Sequence, residues 1–112
     1  MSMKFRCERD TLVEALSAAG RAVTTRGGAL PVLAGVRMEL AGDRLTVTGS
    51  DLDLTITVEV EVAGGEDGIA VLPSKLISDV ARSLRPGSVD IDIEEDDARI
   101  ISAPSEFSIR LI

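Results

Sequence analysis

Val36-Arg-Met-Glu-Leu40 and Leu45-Thr-Val-Thr48 alternate apolar with polar residues, and 53 positions after the first of them Val89-Asp-Ile-Asp-Ile93 does the same. Strict alternation is the mark of a β-strand with one buried face. The match continues along the chain. Val36, Met38, Leu40, Val47, Leu54, Ile56 and Val58 fall on Val89, Ile91, Ile93, Ile100, Phe107, Ile109 and Leu111 at that constant offset of 53. Upstream, Phe5, Cys7, Leu12, Val13 and Leu16 fall on Ile69, Val71, Leu76, Ile77 and Val80 at an offset of 64. The difference of 11 lies between helix and strand, where the first half carries the loop Thr24 to Ala34 and the second turns through Pro86-Gly87. The chain therefore reads as a single α+β domain, residues 1–112, holding a βαβββ unit twice, at about 3–62 and 68–112. A duplicated unit predicts pseudo-two-fold symmetry, with two equivalent helices on one face of antiparallel sheets.

The spacing predicts the first strand over Lys4 to Glu8 and a helix over Thr11 to Val23, with Asp10 as its N-cap. Leu12, Val13, Leu16, Ala19 and Val23 form its apolar stripe, and Glu14, Ser17, Ala18 and Arg21 point away. A second helix follows Pro73-Ser74, with Leu76, Ile77, Val80 and Leu84 inward and Lys75, Ser78, Asp79, Arg82 and Arg85 outward. Leu52 to Val60 reads as one long strand, and Ala41-Gly-Asp-Arg44 and Glu94 to Asp97 as matching hairpin turns.

Of the 112 residues 45% are hydrophobic, enough for one core, yet no run of 18 apolar residues could span a membrane. Met1 to Asp10 does not resemble a signal peptide, and a single cysteine, which cannot form an internal disulfide, leads to the expectation of a reduced cytoplasmic protein. The lone Cys7 alternates with Phe5 and reads as a buried, inert thiol. Without His, Trp or Tyr the chain has no route to an imidazole-based triad or metal site, and no catalytic residue, cofactor or metal site is expected. Net charge is −7, but the two helix-and-loop segments, Asp10 to Gly35 and Pro73 to Gly87, carry five basic residues against three acidic ones, +2, which leaves −9 for the rest. Basic helices on an acidic body make a polarised molecule. The plain alternative is that Arg21, Lys75 and Arg82 are solvated helix charges paired with Asp79 or Glu14.

Two acidic features invite a metal reading. Glu94 to Asp97 is a four-carboxylate turn without the glycine and spaced oxygens of an EF-hand loop. Asp51-Leu-Asp53 resembles the Asp-x-Asp element of metal-dependent transferases, with both carboxylates on one strand face, but it has no third ligand.

Met3-Lys-Phe-Arg-Cys-Glu-Arg-Asp-Thr-Leu12, Leu30-Pro-Val-Leu-Ala-Gly-Val36, Leu45-Thr-Val-Thr-Gly-Ser-Asp-Leu-Asp-Leu54, Leu72-Pro-Ser-Lys-Leu76 and Phe107-Ser-Ile109 closely resemble the first domain of the bacterial sliding clamp family, the beta subunit of DNA polymerase III. The resemblance runs from Met3 to Ile112. It implies a DNA-clamp fold and the first of three domains in a protomer, two protomers closing head to tail into a homodimeric ring around duplex DNA. It implies a non-catalytic processivity factor in replication, whose polymerase and clamp loader bind the later domains. Arg26 then matches an arginine that touches DNA phosphates, with Arg21, Lys75 and Arg82 on or near the channel wall. Lys75, Val80, Leu84, Phe107 and Ile109 match the ring seam with the second protomer. The rival readings are a freestanding α+β interaction module and a metal-dependent enzyme built on Asp51 and Asp53.

Overall fold

The computed structural model describes residues 2–23 and 34–112. Strand β1 (Ser2–Glu8) runs directly into helix α1 (Arg9–Gly20), and β2 (Gly35–Ala41), β3 (Arg44–Ser50) and β4 (Thr55–Glu61) follow as a meander. A short β5 (Ala63–Glu66) intervenes. The order then repeats as β6 (Gly68–Pro73), α2 (Ser74–Ser83), β7 (Ser88–Glu94), β8 (Asp97–Ser102) and β9 (Ser105–Arg110).

The two units exchange their first strands. β1 pairs with β7 of the second unit, giving the antiparallel order β5-β1-β7-β8-β9, and β6 pairs with β2 of the first, giving β4-β3-β2-β6. Each sheet thus holds strands from both halves, and one apolar core joins them. Met38, Val47 and Leu72 enter it from the smaller sheet, Ile91 and Ile100 from the larger, Leu12 and Leu16 from α1 and Ile77 from α2, all essentially without solvent contact. Each such side chain contributes about 1.5–3 kcal/mol relative to exposure. Cys7 lies in this core as expected, and burial pushes its thiol up to about 11.

Burial moves the upstream match by one residue. Phe5 and Cys7 are buried on β1, but on β6 the buried residues are Ala70 and Leu72, and Ile69 is exposed. The helices follow the same shift: Leu12, Ala15, Leu16 and Ala19 correspond to Ile77, Val80, Ala81 and Leu84, an offset of 65 rather than 64. Leu76, expected inward, is 48% exposed, and Ser78, expected outward, is buried. An exposed leucine costs little, so apolarity at Leu76 produced a false match. The small Ser78 side chain fits the packed face of α2.

Three boundaries also differ. α1 begins at Arg9 with Glu8 as its N-cap, and Asp10 lies in its first turn with its carboxylate on Arg9. The α-helix stops at Gly20, and residues 21–23 continue as turns through the bonds Ala22 N–H to Ala19 O and Val23 N–H to Gly20 O. β4 begins at Thr55, because Asp51 Oδ1 accepts the N–H groups of Asp53 at 3.0 Å and Leu54 at 2.7 Å and folds the chain into a turn. Leu52 sits at φ 82° within it. Asp51 and Asp53 therefore do not share a strand face.

Candidate nucleic-acid interface

The two helices pack antiparallel. At one end a Cβ on Gly20, the last residue of α1, would lie 3.3 Å from Ser74 Oγ, the first residue of α2. At the other end Arg9 of α1 donates from Nη2 to the carbonyl of Arg82 in α2 at 2.7 Å. Small residues allow this approach: Ala15 and Ala19 on α1 and Ser74, Ser78 and Ala81 on α2 are all buried. α1 is seated by a glycine of β3. A Cβ on Gly49 would collide with the carbonyl group of Ala19, so only a residue without a side chain lets the last turn of α1 lie on the sheet.

This geometry sorts the basic residues into two groups. Arg21, at the C-cap of α1, and Lys75, in the first turn of α2, occupy the same end of the pair. Arg9, Arg82 and Arg85 occupy the other. Lys75 and Arg82 share one carboxylate: Lys75 Nζ lies 3.3 Å from Asp79 Oδ2, and Arg82 Nη2 lies 3.4 Å from Asp79 Oδ1. The pairing of helix charges with Asp79 is thus realised for these two residues. Arg21 is exposed and forms no ion pair with any described residue. Exposed pairs of this kind are worth about 1 kcal/mol or less, so a phosphate can replace Asp79 at low cost. Arg26 and the Leu30-Pro31 loop lie outside the described residues.

The outer sheet faces have a different electrostatic character. Arg6 donates from Nε to Asp90 Oδ1 at 2.8 Å across β1 and β7, and this contact raises the arginine further above its usual range. Arg44 reaches Glu59 at 3.2 Å and Arg99 reaches Glu106 at 3.6 Å. Lys4 and Arg37 are paired as well, with Asp92 and Glu39, so of the basic side chains on the sheets only Arg110, among the described residues, has no carboxylate partner.

The expected seam residues divide by burial. Lys75 is exposed and Phe107 is 37% exposed, but Val80, Leu84 and Ile109 belong to the core. Phe107 and Ile109 do share a face of β9, opposite Ile100 and Ala98 of β8. Ile109 is covered and Phe107 overhangs. The outer edge of β9 pairs with no described strand. Asp51 is committed to its turn, and the two backbone N–H bonds hold its carboxyl below the usual carboxylate range. Among the described residues no three His, Cys, Asp or Glu side chains converge as metal ligands. Two residues that position this face, Gly49 and Arg9, were not singled out by sequence reasoning. Their partners lie 30 and more than 70 positions away, and no local pattern marks them.

A duplicated βαβββ unit with exchanged first strands and an antiparallel helix pair defines a DNA-clamp domain. Residues 3–112 match the family described as DNA polymerase III beta subunit, N-terminal domain, and the chain belongs to that family. It is 31% identical over 110 residues to the beta sliding clamp of Streptomyces coelicolor, covering 98% of this chain and 29% of that protein. With the beta sliding clamp of Synechococcus elongatus the identity is 35% over 98 residues, 86% of this chain and 26% of the other. The crystal structure of the Bacillus subtilis DNA polymerase sliding clamp superposes with a TM-score of 0.95 at 26% identity, covering 100% of this chain and 32% of that one. The chain thus spans about a third or less of these relatives. No helix among the described residues is long and apolar enough to cross a membrane.

Proposed function

We propose that this chain is the first of three domains of a sliding clamp, in which two protomers close head to tail around duplex DNA and tether the replicative polymerase. The observation that carries this reading is the polarity of the fold: Arg21, Lys75, Arg82 and Arg85 lie on or just past the helix pair with only Asp79 to neutralise two of them, whereas carboxylates outnumber basic residues on the sheets. Family membership supports it. The whole chain acts as one domain, its two units at about 3–62 and 68–112, contributing channel wall and ring-seam surface.

The mechanism needs no chemistry. Arg21, Lys75 and Arg82 meet phosphates without reading bases, and the family resemblance gives Arg26 the same role. A few screened contacts exchange as the DNA moves, whereas many strong ones would arrest it. The closed ring then makes polymerase rebinding effectively intramolecular. At the seam Lys75 and Phe107 face the second protomer, supported from beneath by Val80, Leu84 and Ile109. Polymerase and clamp loader engage later domains, and the protein works in the cytoplasm without catalysing a reaction.

The test is a titration of labelled duplexes at low salt. Weak binding is expected, equal for unrelated sequences, with the salt slope shrinking by about 0.9 for each contact removed by Arg21→Ala, Lys75→Ala or Arg82→Ala. Nanomolar binding at physiological salt, or affinity indifferent to all three changes, would overturn the reading.

A further inference from the structure

Arg9 is the first residue of α1, yet its side chain is committed to the far end of α2. Nη2 donates to Arg82 O at 2.7 Å and Nε to Ala81 O at 3.3 Å, while Nη1 lies 3.0 Å from Asp10 Oδ1. The main-chain N–H of Arg9 donates to Gly87 O at 2.8 Å, closing the loop that follows. The side chain is only 23% exposed.

The last carbonyls of any helix lack partners within it. α2 ends without a left-handed closing residue: Leu84, its C-cap, is extended at φ −77° and ψ 156°, and donates only to Ala81 O, at 3.3 Å. The Arg82 carbonyl is served by Arg9. A guanidinium suits this place, because its planar fork spans two carbonyls one residue apart and its charge faces the negative end of the helix dipole. Asp10 occupies the remaining arm and fixes the fork in orientation.

We infer that Arg9 is a positioning residue for the basic end of α2. It anchors the backbone from which Arg82 and Arg85 project and so determines where those charges meet a polyanion. The consequence for DNA rests on the clamp reading proposed above; the clasp itself does not.

Amide exchange measured by NMR on the 112-residue chain separates the two. In Arg9→Gln the amides of Ser83 and Leu84 exchange about tenfold faster, with Arg9→Lys between it and the parent, while Leu45 and Val47 in β3 change by less than about twofold. Acceleration spread evenly over the chain, or none at Ser83 and Leu84, would overturn the clasp. For the positioning role, Arg9→Gln lowers low-salt duplex affinity, and the loss disappears when Arg82→Ala and Arg85→Ala are already present. A loss that persists in that background overturns positioning. Absence of any low-salt DNA binding by the parent chain removes the clamp reading, and the exchange result still decides the clasp.

Discussion

α1 and α2 hold equivalent places in the two halves, but they are secured differently. α1 lies on β3 and β4 of its own meander, let in by Gly49, whereas α2 contacts β6, β2 and β9 and is tied to α1 by Arg9. The position matching Gly49 in the second half is Ser102, on β8, so the glycine seat has no counterpart there. α2 is also the shorter, 10 residues against 12, and carries the denser charge. Duplication preserved the buried stripe at an offset of 65 and left the attachment and exposed face of each helix free to diverge. The helix with fewer sheet contacts is the one whose last turn needs an arginine from its neighbour.

The comparison breaks most readily in the core. Leu12→Ala and the equivalent Ile77→Ala should each lose about 2–5 kcal/mol in urea unfolding, since both vacate closed space. Leu76→Ala should stay within about 0.5 kcal/mol, because that leucine is half in solvent. The reverse order of Leu76 and Ile77 would restore the offset of 64. Next comes the seat: Gly49→Ala, which drives a methyl into the Ala19 carbonyl, should cost about 1–3 kcal/mol. Ser102→Ala at the matching place should cost about 0.5 kcal/mol or less. Equal losses would mean the helices are held alike.

Charge changes sharpen the difference with little effect on stability. Asp79→Asn should alter unfolding by less than about 1 kcal/mol, yet raise low-salt duplex affinity more than Glu14→Gln on α1 does. The reason is that Asp79 occupies both Lys75 and Arg82, whereas Glu14 pairs with no described residue. The smallest effect belongs to the turn between β3 and β4. The Asp51 carboxyl titrates below its ordinary range because the ionised form is bonded to two N–H groups. Its support of the turn is therefore complete above the unfolded carboxylate range and is lost as pH falls through the lowered value. A carbon-detected titration should show its midpoint below the usual carboxylate range, and an ordinary midpoint would mean that the Asx turn does not hold the ionised form.

Much of the fold was legible because β2, β3 and β7 alternate strictly, and a one-residue slip would turn every apolar group outward. The exchange of first strands was not legible. It is a long-range pairing that periodicity does not encode, and β5, reading Ala-Gly-Gly-Glu, has no alternation to detect. The Leu52 to Leu54 segment mimicked a strand because its leucines alternate, and the Asp51 side chain overrode them by binding the backbone. At the candidate site, the helical position of Lys75 and Arg82 was readable from spacing. Their common hold on Asp79 needs side-chain geometry, as does the burial of Val80 and Leu84 beneath the proposed seam.

On the function proposed above, the helix face of this chain lines a closed ring. The direct measurement is retention on DNA by a chimera in which this chain replaces the matching 29% of the Streptomyces coelicolor clamp. At physiological salt the chimera, once loaded, should remain on nicked circular duplex and run off when the circle is linearised. Equal retention on both forms, or retention that falls steeply with salt and is abolished by Arg21→Glu alone, would show that contact rather than topology holds the DNA and would contradict the ring.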